Sequence, residues 1–342
     1  MPSGTYNRFG LTGNPFRELA SESLEDVSLF HVNQDTDQGL RNIKDEILDK
    51  ENRAVVAIIG ELGAGKTERL RFTAAEAKEQ HTFCVYLDIT EKTPGELRAL
   101  AQEFRKSAQA FGLIKTFGGP GWLRSVQGLE KLKDEKYDPG EAGKAIAQAL
   151  SESAPAILLL NDLHNLIDTR EVDQFVKVLQ VVTDSIKPGV LVMFTCYTSY
   201  LAWLTVNHPA FAQRINRKFL LRRFSDDEAS LLLAKKMLAK RLVEDLDPIY
   251  PFDPEAVTAL NVAAGGNPRR ILELADLAIE YGLAHRAYRV DGEVVRAVAP
   301  STPDTVPGIS VTVPATPVVG IRPGTPPPKP RYLENGPPDP ST

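Results

Sequence analysis

Only two cysteines occur in 342 residues, Cys84 and Cys196, each inside an apolar run and neither in a metal-ligand spacing. That scarcity excludes a disulfide-stapled scaffold and a cysteine metal site, and two core thiols in a reducing compartment are expected. Long hydrophobic runs are missing as well: nothing approaches the ~20 consecutive apolar residues that cross a bilayer. The start, MPSGTYNRFG, lacks a basic stretch followed by an apolar one. A cytoplasmic protein with no membrane span is expected. A basic surplus is absent too, since 40 Lys and Arg stand against 45 Asp and Glu, a net charge of −5. This speaks against a simple DNA-coating protein; contact with nucleic acid would need a local patch or partner subunits.

What is present is the balance of a soluble globular chain, 42% hydrophobic and 25% charged, with length for about two ordinary domains. Runs rich in β-branched residues recur at RAVVAIIG (53–60), TFCVYLDIT (82–90), AILLLND (156–162), GVLVMFTCY (189–197) and RKFLLRRF (217–224). Helical patterns fall between them, as in TERLRFTAAEAKEQ (67–80) and TPGELRALAQEFRKSAQAFG (93–112). Strands alternating with helices predict an α/β domain, a parallel five-stranded sheet with flanking helices, over 53–224. Residues 1–52 supply an N-terminal segment and a first helix. From Ser225 the strands stop: four capped helical patterns fill 225–299, a small all-helical domain. Beyond, 300–342 holds about half of the 25 prolines and no periodicity, which reads as a disordered proline-rich tail.

One stretch carries chemistry on its own. Gly60, Glu61, Leu62, Gly63, Ala64, Gly65, Lys66 and Thr67 spell G-x-x-x-x-G-K-T between a predicted strand and a predicted helix. In such a loop glycines let backbone amides turn toward phosphates, the lysine reaches β/γ oxygens, and the threonine hydroxyl serves magnesium. ATP with Mg2+ is therefore the expected cofactor. The partner strand, AILLLND, would ordinarily end in an aspartate for the metal's water shell and a glutamate for the attacking water. Here Asn161 holds the first place and Asp162 the second. In another register Asp162 is the magnesium partner, partly through water, with His164 nearby. An amide in the first place slows hydrolysis more than it weakens binding.

With these pieces in order the chain resembles the AAA+ ATPases, in the branch of origin-recognition-complex-like initiators, transposition regulators and secretion-type ATPases. FGLTGNPF (9–16) is similar to the segment before that branch's first helix, where it packs near the adenine. GELGAGKT resembles its Walker A motif, LLLNDLHNL an altered Walker B, and GGNPRRILELADLA (265–278) the sensor 2 helix of the helical lid. The resemblance implies that Arg269, with Arg270 as rival, reaches the γ-phosphate, and that Thr195 or Thr198 stands at sensor 1. It also implies that Arg214 is the finger offered to a neighbouring subunit's nucleotide, so ATP would sit at homo-oligomer interfaces. Otherwise Arg214, Arg217, Lys218, Arg222 and Arg223 are a solvated basic surface.

An insertion at about 111–145 departs from a single-helix crossover. Phe117, Trp122 and Arg124 there suit strand backbones and bases, yet Glu130, Asp134, Glu135 and Asp138 nearly balance its cations. The insertion reads equally as a protein-partner loop. The expected function is a slow ATPase forming ATP-dependent oligomers on DNA. The alternatives are a nucleotide-dependent adaptor binding protein partners through the insertion or the tail, and the ATPase subunit of a secretion apparatus. A winged-helix domain, usual after an initiator's lid, is not expected here.

Overall fold

A computed structural model describes residues 6–17, 32, 34–49, 52–90, 96–112, 121, 123, 126–127, 138–167, 169, 171–243 and 246–299. The expected disordered tail at 300–342 lies outside the described residues, as do Phe117, Trp122, Arg124, Glu130, Asp134 and Glu135.

Five strands, β1 (Ala54–Ile59), β2 (Phe83–Asp88), β3 (Ala156–Asn161), β4 (Val190–Cys196) and β5 (Arg217–Leu220), form one parallel sheet in the order β2-β3-β4-β1-β5. Every residue of β1, β3 and β4 is buried, which is why these strands are continuous apolar runs rather than alternating ones. At the edge, β5 is short and mostly exposed, with Arg217 and Lys218 on it, a composition that discourages further pairing.

The helices are α1 (Asp35–Leu48), α2 (Lys66–Glu79), α3 (Glu96–Ala110), α4 (Pro139–Glu152), α5 (Val172–Ser185), α6 (Thr198–Asn207) and the single turn α7 (Pro209–Ala212). One apolar core joins Val55, Leu158 and Phe194 of the sheet to Phe104, Ile146 and Leu179 of α3, α4 and α5. A second joins Val56, Ile58 and Leu159 to Leu40, Ile43 and Leu70 of α1 and α2. Alternate strand residues thus face opposite helical layers, as the period of two requires. Both cysteines are free thiols, Cys196 buried in β4 and Cys84 partly buried in β2.

Four helices follow: α8 (Asp226–Leu238), α9 (Pro254–Ala264), α10 (Pro268–Ala284) and α11 (Gly292–Val298). Their starts are set by local chemistry. Ser225 and Glu228 form a reciprocal capping box on α8, and Asp253, Asn267 and Asp291 cap the other three. Pro254 and Pro268 occupy first-turn positions where a missing N–H costs nothing. Leu233, Leu260, Ile271 and Ile279 make a core of their own, and the N-terminal segment contributes Phe9, Leu11 and Phe16 to it. Asn14 Nδ2 donates to Asp276 Oδ1 at 2.7 Å and the Tyr6 hydroxyl to Glu280 at 2.6 Å. The segment 6–17 therefore packs with the helical region, although it is distant in sequence.

Between α1 and α2 lies a buried ion pair. Arg69 Nε and Nη2 donate to the two oxygens of Asp37 at 2.9 and 3.0 Å, and both side chains are at most 5% exposed. Arg69 Nη2 also donates to Gln34 Oε1 at 3.2 Å and to the Val32 carbonyl at 3.4 Å, tying down the segment before α1. Such a pair adds little over an apolar substitute, but breaking it strands a buried charge at a cost of ~3–5 kcal/mol. Asp37→Ala is expected to lower the urea midpoint by a loss of about that size, and a midpoint unchanged from wild type would contradict the role given to the pair.

Candidate nucleotide site

The loop Gly60–Thr67 leaves the end of β1 and enters α2. Gly63 and Gly65 have φ of +78° and +89°, the left-handed region that favours glycine. With Gly65 at the N-cap no side chain caps α2. Its first turn of N–H groups, carried by residues that line a cavity of about 230 Å3, thus remains available to an anion. Lys66 Nζ donates to the Gly60 and Glu61 carbonyls at 3.0 and 2.9 Å and lies 4.5 Å from the centre of the Tyr197 ring. Burial lowers the Lys66 pKa, and the nearby Asp162 carboxylate opposes that shift. Burial likewise raises the Asp162 pKa, against the pull of Lys66.

Asn161 and Asp162 meet the loop from β3. Thr67 Oγ1 donates to Asn161 Oδ1 at 3.1 Å, and Thr195 Oγ1 of β4 donates to the same oxygen at 2.9 Å. Asp162, at φ 55° and ψ 48°, turns the chain out of the strand, and its N–H donates to Thr195 Oγ1 at 2.7 Å. Thr195 is thus joined to both residues of the altered pair, which gives it, rather than Thr198, the place between them. Asp162 and Thr67 both line the cavity. Hydroxyl, amide and carboxylate oxygens are the donors a hard divalent cation takes. Among the described residues no group of three or more His, Cys, Asp or Glu forms a metal cage. A phosphate-bound magnesium needs none, because phosphates and waters fill most of its positions.

From the other side comes the start of α10. Asn267 Nδ2 donates to the Leu62 carbonyl at 2.7 Å, and the Arg269 N–H to the Gly63 carbonyl at 3.4 Å. A Cβ on Gly63 would stand 2.7 Å from Arg269 Cβ, so this glycine is needed for the close approach as well as for its φ. Arg269 lines the cavity and pairs with Glu273 at 3.4 Å; Arg270 is not among the lining residues. Val32, Leu232 and Leu272 give the cavity an apolar wall. A flat apolar group and a polyanion can therefore be held together.

Residues 49–200 match the family model of the AAA domain. This region is an AAA domain of the AAA+ type. Solved structures with a similar fold include an ORC1 protein of Aeropyrum pernix in complex with DNA, at 17% identity and a TM-score of 0.51 over 82% of this chain and 67% of that one. The ORC2 protein of the same organism, in ADPNP-ADP complexes, gives 13% and 0.52 over 79% and 70%. Cdc6p of Pyrobaculum aerophilum gives 15% and 0.51 over 80% and 70%. At such identities the likeness is one of fold. No curated protein matches the chain in sequence.

Other residues singled out from the sequence lie elsewhere in the AAA+ frame. Arg214, just after α7, is held by Asp184 of α5 and by the Ala210 carbonyl, away from the cavity. Arg217, Lys218, Arg222 and Arg223 are exposed, and Arg222 pairs with Glu228 at 2.8 Å. Among the described residues no helix is long and apolar enough to cross a membrane. Tyr197, Asp88 and Arg69 escaped the sequence reading. Asp88 alone had a legible signal, an acidic residue ending a strand of a parallel sheet.

His164 packs against Tyr197 at a tilt of 38° with ring centres 3.7 Å apart, and its buried Nδ1 makes no hydrogen bond. Burial, then the Lys66 charge, pushes its pKa from 6.5 down to about 4. The unfolded chain takes up that proton first, so stability should fall as pH drops from 6.5 toward 4. His164→Gln is expected to flatten that part of a denaturation-against-pH curve. An unchanged slope would mean that the imidazole takes up its proton as readily in the folded protein as in the unfolded chain.

Proposed function

We propose that the chain binds ATP with magnesium, hydrolyses it slowly, and assembles in its ATP-bound form into homo-oligomers that act on DNA. The observation that carries the reading is the convergence of four separate elements on one cavity. The loop before α2 offers amides and Lys66, the end of β3 offers Asp162, the residue after β4 is Tyr197, and α10 brings Arg269; Asn161 and Thr195 lie buried behind this lining, hydrogen-bonded to Thr67 and Asp162. The groups fit a nucleoside triphosphate: amides, Lys66 and Arg269 for phosphate charge, Thr67 and Asp162 for the cation, and an apolar wall for the base. Magnesium, when bound, neutralises charge on the β and γ oxygens. Asp162, whose N–H donates to Thr195, would orient water. Slowness follows from Asn161, which carries no charge, and from Asp162, which is a methylene shorter than glutamate.

DNA enters from fold likeness to proteins solved in DNA-related assemblies and from the exposed cations after α7. With a net charge of −5 the contact must be local, and assembly would multiply it. Sizing with ATP, followed by DNA binding at two salt concentrations, tests both parts. ATP-dependent growth and binding that weakens with salt are expected, and both should vanish in Lys66→Ala. Binding without salt dependence, or none, would favour a nucleotide-dependent adaptor for protein partners.

Arg214 is the finger in this scheme, released from Asp184 when a neighbouring subunit arrives. Arg214→Ala should leave nucleotide retention intact while lowering turnover of the assembled form by ~100-fold or more. Turnover equal to wild type would return Arg214 to a structural pairing with α5.

A further inference from the structure

The sheet places Asp88, the last residue of β2, directly beside Asn161, the last residue of β3, in parallel register. Asn161 Nδ2 donates to Asp88 Oδ1 at 2.7 Å and to Asp162 Oδ2 at 3.2 Å. A carboxylate can only accept, so Asp88 fixes which end of the amide faces it. The amide oxygen is thereby turned the other way, toward the hydroxyls of Thr67 and Thr195. Asn161 is 4% exposed, and its nitrogen and oxygen are both satisfied by this arrangement.

An aspartate at 161 would meet different neighbours. One of its oxygens would stand where Nδ2 now is, in contact with Asp88 and Asp162, and three carboxylates would crowd one strand end. Like charges at that spacing repel one another and disfavour the arrangement. The altered strand end is thus matched to its neighbour. The two carboxylates expected on β3 are still present as a pair, one on β3 at Asp162 and one on β2 at Asp88.

We propose that Asp88 is a positioning residue of the nucleotide site: it carries the carboxylate charge missing from β3 and, by gripping the Asn161 amide, aims Asn161 Oδ1 at Thr67. Asn161 on this account is one half of an exchanged carboxylate–amide pair, and Asn161→Asp alone does not restore an ordinary site. The inference rests on the ATP reading above and concerns how that site holds its cation.

The test compares full-length wild type, Asp88→Asn, Asn161→Asp and the exchanged double variant Asp88→Asn/Asn161→Asp. Retention of labelled ATP and ATP-induced thermal stabilisation are read against magnesium concentration, with metal-free ADP binding as the control. Asp88→Asn should raise the half-saturating magnesium by ~10-fold or more, the usual cost of losing a partner behind a metal ligand. The exchanged variant should recover most of that loss, because charge and amide are both present again. If Asp88→Asn binds magnesium–ATP as wild type does, the proposal is overturned. It is equally overturned if the exchanged variant folds, binds ADP and shows no recovery. Should Asp88→Asn fail to fold, the exchanged variant decides alone. Retention that is lost in Lys66→Ala but indifferent to Asp88 would overturn this inference only, whereas wild type that retains no ATP would overturn the ATP reading itself.

Discussion

Parallel pairing of β2, β3, β4 and β1 puts four carboxyl ends on one edge of the sheet, and the site depends on that single constraint. Because the strands are in register, Asp88 lies beside Asn161, and Leu160 beside Phe194. The next step along that register sets Asn161 against Thr195, whose hydroxyl is 2.9 Å from its amide oxygen. Side chains separated by many residues thus form one transverse row of hydrogen-bonding groups. The loop from β1 closes over that row and brings Thr67 to the same amide. Buried apolar runs in β1, β3 and β4 supply the rigidity that holds it.

The second constraint is the seat of α10 on the loop. Asn267 serves twice, capping α10 through Oδ1 to the Arg270 N–H and gripping the Leu62 carbonyl through Nδ2. One residue therefore sets where the helix begins and where it docks, and Arg269 reaches the cavity as a result. The pair Arg69–Asp37 does comparable work on the opposite wall, where it holds Val32 and Gln34 in place. Electrostatics inside the cavity are a compromise. Burial drives Lys66 and Asp162 each toward neutrality, and their mutual attraction opposes it.

Much of this was legible in the sequence because its signals are local. The five strands fall within the apolar runs, and the capped helices of the second region begin at or beside Ser225, Asp253, Asn267 and Asp291, since capping chemistry and periodicity act within a few residues. The phosphate loop was legible for the same reason: its glycines and Lys66 are contiguous. What escaped is non-local. No pattern in TFCVYLDIT says that Asp88 will face Asn161, because that follows from strand order. Nor does anything near Arg69 announce Asp37, thirty-two residues away. The N-terminal segment was expected near the base; Phe9, Leu11 and Phe16 join the core of the helical region, which also holds Val32, Leu232 and Leu272 of the cavity's apolar wall, a docking that local pattern does not encode. Which of Arg269 and Arg270 lines the cavity is set by helix phase at the start of α10, where it is Arg269.

The central claim is that a strand ending in Asn161–Asp162 still completes a working nucleotide site. Calorimetric titration of ATP into the full chain, with and without magnesium, tests it most directly. Saturable binding of one nucleotide per chain, tightened by magnesium, is the predicted result. Absence of saturation at millimolar ATP in the presence of magnesium would contradict the account.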